Sequence, residues 1–297
     1  MTPSDISLPN TATRQAAPIL PHTSTAPLGD AALHCRLQAA ITLIREAGEI
    51  ARTAFHALTP QQIGFKGHQD FLTAADLAVE HHLRQRLGAQ FPEDSLFGEE
   101  LGGEPGSDCW IMDPIDGTAN FARGIAHFCC VLAFVSGGKT RFGLIFDPLH
   151  DELFVAVRGG GATCNGQPLQ VAPTQHFAAA NLELGWNQRR PTHDYLQTLA
   201  GLLALGANVR RGASGALALA YVACGRSDGY LELHMQPWDC LAGLLLVREA
   251  GGQTLEWPSG SWPQGGPVLA ATPSLAAAMA QAAALTLSPT FATRTAV

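Results

Sequence analysis

The segment at residues 110–121, WIMDPIDGTANF, decides the fold and the chemistry of this chain. An apolar run with the pattern of a buried strand leads to two carboxylates three residues apart, Asp113 and Asp116, and a Gly-Thr turn follows at once. Two acids beside a tight turn at a strand end can hold a hard divalent cation, and the free N–H groups of the turn can hold a phosphate. The segment therefore indicates metal-dependent phosphate chemistry, although Asp also caps turns in Asp-Pro-x-Asp-Gly sequences.

Two more acidic sites favour the functional interpretation over the turn cap. A Gly-Glu-Glu sequence lies upstream at residues 98–100, and a Pro-Trp-Asp sequence at residues 237–239 opens an apolar helix. Glu99 alone would be a solvated loop residue, and Asp239 alone would be a helix N-cap. Their combination with the turn gives four candidates for a hard-metal cage: Glu99, Asp113, Asp116 and Asp239.

The residue types of this cage predict magnesium. Mg²⁺ prefers oxygen ligands and keeps several waters, so a few carboxylates suffice. Zinc ligands do not cluster here, and the adjacent His81 and His82 cannot share a helix face. Because four carboxylates without a metal would raise one another's pKa, their convergence calls for a cation. Two or three Mg²⁺ ions flanking a phosphoryl group would activate a water and stabilise the leaving oxygen.

The rest of the turn supplies further candidates. Pro114 fixes the backbone and could turn the Ile115 carbonyl toward the same cavity. The backbone N–H groups of Gly117 and Thr118 could hold phosphate oxygens, and the Thr118 hydroxyl could orient a water if an acid lies behind it. Asp76 ends a Thr-x-x-Asp capping box, so by itself it is interpreted as a helix cap.

Composition describes a globular protein with a net charge of −7 in 297 residues, enough for one large domain or two moderate ones. The charge argues against nonspecific nucleic-acid binding, which needs a basic face, but it is compatible with a small phosphate held through cations. Seven cysteines without a C-x-x-C pair indicate free thiols in a reducing compartment. With neither a secretory signal nor an apolar run of about 18 residues, we expect a cytoplasmic protein without membrane association.

Periodicity predicts alternating layers of helix and sheet, in a mixed α+β and α/β fold. Residues 1–32 have the composition of a disordered tail. A first half, 33–172, contains two helices from Leu33 and Thr73, the metal-binding turn, and strands at 128–135, 141–147 and 152–157. A second half, 173–297, contains helices at 213–224 and 241–250 and contributes Glu232 and Asp239.

The sequence resembles the inositol monophosphatase family. The family signature W-x-x-D-P-[IL]-D-G-T-x-N-F matches residues 110–121, with Ala119 in place of the usual Thr. A second signature, W-D-x-x-A-G-x-x-[IVL]-[IVL]-x-E-A-G-G, matches residues 238–252. The resemblance runs from about residue 35 to 280 and implies a layered αβαβα sandwich of the sugar-phosphatase type, a homodimer and sensitivity to lithium.

The resemblance also implies a role for individual residues. Magnesium ligands would be the four carboxylates of the cage and the Ile115 carbonyl, with Glu99 also acting in catalysis. Asp76 would pair with Thr118 to orient the nucleophilic water. The substrate would contact these residues: Asp116, Gly117, Thr118, Ser214, Gly215 and Glu232. Glu232 is placed where inositol-preferring members accept hydrogen bonds from sugar hydroxyls, and the alternative is an ordinary strand-edge Glu.

These observations predict a magnesium-dependent phosphomonoesterase that cleaves a small polyol phosphate, first of all inositol monophosphate, by in-line attack of a metal-activated water. Rival substrates within the family are histidinol phosphate, fructose 1,6-bisphosphate and 3′-phosphoadenosine 5′-phosphate. The family usually has Gly-Ser-Ala where this chain has Ala213-Ser214-Gly215, which leaves the identity of the polyol open. A different class of function also stands, because some bacterial members resembling this chain are partners of the transcription machinery.

Overall fold

The structure is a computed structural model that describes residues 29–59, 63–67, 70–257 and 264–287. The predicted tail lies outside these ranges up to residue 28, and the first helix begins at Asp30. Within the described ranges the helices are α1 (Asp30–His56), α2 (Ala74–Gln90), α3 (Thr118–Phe121), α4 (Thr192–Ala204), α5 (Gly215–Ala223), α6 (Pro237–Glu249) and α7 (Pro273–Ala282). The strands are β1 (Ile63–Gly67), β2 (Asp70–Thr73), β3 (Ser95–Gly98), β4 (Asp108–Asp116), β5 (Cys129–Ser136), β6 (Lys139–Asp147), β7 (Glu152–Val157), β8 (Gly161–Cys164), β9 (Gln167–Pro168), β10 (Asn181–Leu184), β11 (Asn208–Arg210), β12 (Gly229–Met235), β13 (Gln253–Thr254) and β14 (Gly266–Ala271).

The first large sheet has seven strands in the order β3-β4-β5-β6-β7-β8-β9. Only β3 and β4 run parallel, and their register sets Gly98 opposite Met112. The residues that follow, Glu99 and Asp113, therefore emerge side by side at the same edge of the sheet. The three strands predicted after the acidic turn are β5, β6 and β7, each within two residues of its predicted bounds.

Both faces of this sheet are covered by helices, which explains why its central strands are almost continuously apolar. Every residue of β5 is buried, and its side chains alternate between two cores. Cys129 and Val131 pack with α5 and α6, whereas Cys130 and Leu132 pack with α1 and α2. The adjacent cysteines Cys129 and Cys130 therefore point to opposite faces of the sheet, as the two-residue period of a strand requires.

The second sheet has five strands in the order β11-β10-β12-β14-β13. Its inner face contacts α5 and α6, and its outer face packs against α4 and α7 around Leu231 and Leu269. The layers are thus α1/α2, first sheet, α5/α6, second sheet and α4/α7. The predicted αβαβα sandwich is confirmed.

Close backbone contacts seat the central helix layer on the first sheet. A Cβ added at Gly143 of β6 would lie 2.5 Å from the Cα of Ala242 in α6, and one added at Gly243 would lie 2.5 Å from the Cβ of Leu219. Glycine at both positions lets α6 approach its neighbours on two sides. Helix α6 therefore packs closely against both β6 and α5.

Three helix starts differ from prediction. Helix α1 begins at Asp30 rather than at Leu33, so the last three residues of the predicted 1–32 tail are helical. Helix α5 begins at Gly215 rather than at residue 213, because Ala213 has a φ of +61° and cannot join a right-handed helix. Helix α6 begins at Pro237 rather than at residue 241, since proline is well suited to the first helical position. All seven cysteines are free thiols. Among the residues described, no helix is long and apolar enough to cross a membrane.

Candidate active site

A cavity of about 220 Å³ lies where the end of β4 meets the ends of β10 and β12. Nine of the residues predicted for the site line it: Glu99, Asp113, Asp116, Gly117, Thr118, Ser214, Gly215, Glu232 and Asp239. The other two, Asp76 and Ile115, lie behind its wall and contact the lining residue Thr118. Residues that lie up to 140 positions apart in the sequence thus line one cavity.

Three carboxylates converge in this cavity. Oxygen atoms of Glu99, Asp113 and Asp239 all lie within 4.8 Å of one another. Glu99 and Asp113 come from the parallel pair β3 and β4, and the Glu99 N–H donates to the Met112 carbonyl at 3.2 Å. Asp239 comes from the first turn of α6, where it also accepts the Gln236 N–H at 3.0 Å. Asp239 is therefore both a helix cap and a member of the cluster.

The cluster suits a hard divalent cation. Burial raises the pKa of Asp113 well above its ordinary value, and the charges of Glu99 and Asp116 raise it further. Burial likewise raises the pKa of Asp239, and Glu99 again adds to the effect. Such acids are costly to ionise together unless a cation compensates them. All the ligand atoms are carboxylate oxygens, the donors that Mg²⁺ prefers.

Asp116 is held differently from the other three acids. Its carboxylate accepts hydrogen bonds from Ser214 Oγ at 2.6 Å, the Ala216 N–H at 2.7 Å and the Gly215 N–H at 3.3 Å. Burial raises its pKa, and the hydrogen bond from Ser214 opposes that shift most strongly. Asp116 thus lies at the N-terminus of α5, outside the close cluster, although it lines the same cavity. Its role as a ligand stays a prediction.

The structure places the side chains of Asp76 and Thr118 close together. The Thr118 hydroxyl lies 3.4 Å from Asp76 Oδ1 and donates to the Ile115 carbonyl at 2.9 Å. The other Asp76 oxygen accepts both the N–H and the hydroxyl of Thr73, at 2.8 and 2.5 Å, which completes the capping box. Burial raises the pKa of Asp76 to about 6, against the opposing hydrogen bonds from Thr73. One carboxylate therefore caps α2 and stands behind Thr118.

The turn itself requires Gly117. Its φ is +98°, and an added Cβ would lie 3.0 Å from the His127 carbonyl and 3.2 Å from Ser214 Cβ. The next residue begins α3, whose first N–H groups have no acceptor within the helix. Asn120 of α3 then donates to the carbonyls of His127 and Gly212 at 2.8 and 2.9 Å. These bonds tie the turn to the loop before α5.

Sequence reasoning missed Glu80, which shapes the segment carrying Glu99. Its carboxylate is fully buried and accepts the N–H groups of Glu100 and Leu101 at 2.8 and 3.2 Å and the Arg84 guanidinium at 2.7 Å. A Cβ at Gly98 would lie 2.3 Å from this carboxylate. The one available signal was its position one helical turn after Asp76, on the same face of α2.

Sequence reasoning also missed two partners of Glu232. The Tyr230 hydroxyl donates to Glu232 Oε2 at 2.5 Å, and Asn187 Nδ2 donates to Oε1 at 2.6 Å. Tyr230 is two residues before Glu232 on β12, so a shared strand face was predictable. Asn187 is 45 positions away, and no local pattern connects it to Glu232.

An αβαβα sandwich with an acidic cavity at the strand ends defines a protein of the sugar-phosphatase fold type. A model of the inositol monophosphatase family matches residues 32–288, and the chain belongs to that family. The resemblance inferred from the two signatures is thereby confirmed. Members of this family generally depend on magnesium.

Some of the similar proteins are named SuhB, and others are named inositol monophosphatase. Nus factor SuhB of Xylella fastidiosa is 37% identical over 224 residues, which cover 74% of this chain and 81% of that protein. The structure of the extragenic suppressor protein suhB from Bartonella henselae has a TM-score of 0.78 at 30% identity, covering 84% of this chain and 98% of that one. The inositol monophosphatase from Anabaena has a TM-score of 0.73 at 32% identity, covering 84% and 96%.

Proposed function

We propose that this protein is a magnesium-dependent phosphomonoesterase that hydrolyses a small polyol phosphate, with inositol monophosphate as the first candidate. One observation carries the proposal: three carboxylates converge within 4.8 Å beside the Thr118 hydroxyl and its buried partner Asp76. Family membership supports the phosphatase class. The free thiols agree with a cytoplasmic location, and the family favours a homodimer.

Glu99, Asp113 and Asp239 would hold the cation, joined by Asp116 and the Ile115 carbonyl. When bound, divalent cations supply Lewis-acid activation of water and neutralise charge on the phosphoryl group. In the structure the Ile115 carbonyl accepts a hydrogen bond from Thr118 at 2.9 Å. For the carbonyl to be a ligand, the Thr118 hydroxyl would turn toward Asp76 Oδ1, which lies 3.4 Å away.

That rotation gives Thr118 its role. When the hydroxyl donates to Asp76, its lone pairs face the cavity and can accept a hydrogen bond from the attacking water, which fixes the direction of the water's own lone pair. Asp76 performs this task in its ionised form. The N–H groups of Gly117 and Thr118 would hold the phosphate oxygens opposite the carboxylates.

The far side of the cavity would bind the polyol. Glu232 accepts hydrogen bonds and repels anions, so it favours hydroxyl groups over a second phosphate close to it. This favours inositol monophosphate over the bisphosphates among the rival substrates. Ser214 and Gly215, expected to touch substrate, already hold Asp116, and we propose that they act on the substrate chiefly through that carboxylate.

The test is phosphate release from four esters: inositol 1-phosphate, histidinol phosphate, fructose 1,6-bisphosphate and 3′-phosphoadenosine 5′-phosphate. Wild type, Asp113→Asn and the matched surface control Asp151→Asn would be assayed with and without Mg²⁺. We expect Mg²⁺-dependent release that Asp113→Asn abolishes and Asp151→Asn retains, fastest on inositol 1-phosphate. No release from any ester by folded wild type would overturn the proposal.

A second candidate function follows from the name Nus factor carried by relatives such as the Xylella protein. We propose, as the alternative, that the chain binds the transcription machinery through protein contacts, for which its net charge of −7 is no obstacle. Capture of RNA polymerase and its factors by immobilised Asp113→Asn, equal to capture by wild type, would support a binding role independent of catalysis. Absence of capture by either protein would reject it.

A further inference from the structure

The Glu232 carboxylate is fixed by protein groups before any substrate arrives. Each of its two oxygens accepts one hydrogen bond, Oε2 from Tyr230 and Oε1 from Asn187. A carboxylate has about four acceptor positions, two on each oxygen. One position on each oxygen therefore remains for a ligand, and both belong to a group that lines the cavity.

The surrounding backbone is shaped to make this arrangement possible. A Cβ added at Gly185 would lie 2.0 Å from Glu232 Oε2 and 2.4 Å from the Tyr230 hydroxyl. One added at Gly215 would lie 3.0 Å from the same hydroxyl. Glycine on both sides of the Tyr230 hydroxyl lets Tyr230 and Glu232 meet inside the wall, and the Gly185 N–H, bonded to the Leu231 carbonyl at 2.9 Å, fixes the spacing.

Asn187 is fixed in its turn. Its Nδ2 donates to the His234 carbonyl as well as to Glu232, and its Oδ1 accepts the Arg189 N–H at 2.8 Å. The amide therefore cannot rotate without losing several bonds. Tyr230 is fully buried, and burial together with the Glu232 charge raises the pKa of its hydroxyl, which keeps the phenol a donor.

We propose that Asn187 and Tyr230 are specificity-determining positioning residues, which hold Glu232 so that its two oxygens accept hydrogen bonds from two neighbouring hydroxyl groups. The substrate class this selects is a phosphomonoester that carries a vicinal diol. The two oxygens of one carboxylate match two hydroxyls on adjacent carbons, whereas a single hydroxyl uses only one of them. The inference rests on the proposed function, because it assigns the far end of the same substrate.

Binding of stable phosphonates tests the inference without turnover. 3,4-Dihydroxybutylphosphonate carries a vicinal diol, and butylphosphonate is the matched compound without one. Titration calorimetry in Mg²⁺ should give wild type a preference of about tenfold for the diol, since two hydrogen bonds to a carboxylate are worth at least that factor. In Tyr230→Phe and in Asn187→Leu the preference should fall to about twofold, while butylphosphonate affinity serves as the internal reference. Tyr221→Phe, which removes a hydroxyl outside the cavity, should keep the wild-type preference.

Two outcomes would overturn the inference. One is a wild type that binds both phosphonates equally. The other is a pair of folded variants that lose affinity for both compounds in parallel, which is what a purely structural role predicts. If one variant fails to fold, the other still decides the matter. A clear diol preference in a protein that hydrolyses no ester would support the inference and overturn only the proposed reaction.

Discussion

The substitution Asp113→Asn should stabilise the metal-free protein and remove most of the stabilisation that Mg²⁺ gives to wild type. Asp113 is almost fully buried, and its oxygens lie within 4.8 Å of oxygens of Glu99 and Asp239. Its Oδ1 accepts the Ile115 N–H at 2.9 Å, a bond that the carbonyl oxygen of asparagine retains. Asp113→Asn therefore removes a charge while keeping the shape and the hydrogen bond.

The size of the effect has two bounds. Two unit charges 4.8 Å apart repel by about 3.5 kcal/mol at an effective dielectric constant of about 20, and Asp113 faces two such neighbours. The protein escapes part of this cost by protonation, which for a carboxyl of ordinary pKa costs about 4 kcal/mol at pH 7. We therefore expect Asp113→Asn to add about 2 to 4 kcal/mol to the free energy of unfolding of the metal-free protein at pH 7.

The pH dependence carries a definite sign. Because the pKa of Asp113 is raised in the folded state, the metal-free native protein binds more protons than the unfolded chain, and its stability falls as pH rises from about 4 toward neutrality. At pH 5 protonation costs only about 1.5 kcal/mol, so the advantage of asparagine should shrink to that value. Bound Mg²⁺ at a hundred times its Kd should add about 2.7 kcal/mol to wild type, and little to the variant.

Urea unfolding at pH 5 and pH 7, in chelator and in Mg²⁺, measures the effect of Asp113→Asn at each pH and the stabilisation of wild type and variant by Mg²⁺. Asp151→Asn is the matched control, since its side chain is 79% exposed and should change stability by less than about 0.5 kcal/mol. A metal-free Asp113→Asn protein that is less stable than wild type at pH 7 would refute the electrostatic account of the cluster. Equal stabilisation of wild type and variant by Mg²⁺ would show that the ion binds elsewhere.

Four further predictions follow from single contacts. Ala213→Gly should stabilise the protein by about 0.5 to 1 kcal/mol in urea unfolding, because it relieves a left-handed alanine at φ +61°, and a loss of stability would contradict that strain. Gly143→Ala should lower the free energy of unfolding by about 2 to 3 kcal/mol, because the new Cβ would lie 2.5 Å from the Ala242 Cα. An unchanged unfolding midpoint would mean that α6 moves away from β6 without loss of stability. Glu80→Gln should weaken Mg²⁺ binding about tenfold in calorimetry by loosening the Glu99 segment, whereas an unchanged Kd would make Glu80 purely structural. The rate of phosphate release should fall as pH drops through about 6, because protonated Asp76 no longer accepts from Thr118, and a flat profile down to pH 5 would exclude this role.

Much of the fold followed from sequence because its signals are local. The apolar runs of β5, β6 and β7 and the spacing in α1 and α2 each lie within one element, so periodicity was sufficient. The carboxylates of the cluster were also predictable, since two dense motifs contain Asp113 and Asp239. The strand pairing that brings Glu99 beside Asp113 was not predictable. It joins the parallel strands β3 and β4, which are separated by a loop and have no hairpin signal.

What sequence could not supply lies in contacts between distant segments. Glu80 and Asn187 act on Glu99 and Glu232 across about 20 and 45 positions, and both resemble ordinary surface residues in their local sequence. The exchange of Gly and Ala on the two sides of Ser214 is explained only by contacts in the folded structure. Gly215 is required by the Tyr230 hydroxyl and the Met235 methyl group, 3.0 and 2.5 Å from its added Cβ, while the alanine at 213 is left in a strained conformation.

The central helix layer has a consequence for how such chains can recombine. Helices α5 and α6 belong to the second half of the sequence, yet one of their faces is fitted to β5 and β6 of the first half. A chimaera joined near residue 172 would therefore set α6 of one parent against the sheet of another, where the Gly143–Ala242 approach leaves no tolerance for a larger residue. Exchange between family members should succeed only when β6 and α6 are inherited together, so the unit of exchange is an interface and not a continuous half of the chain.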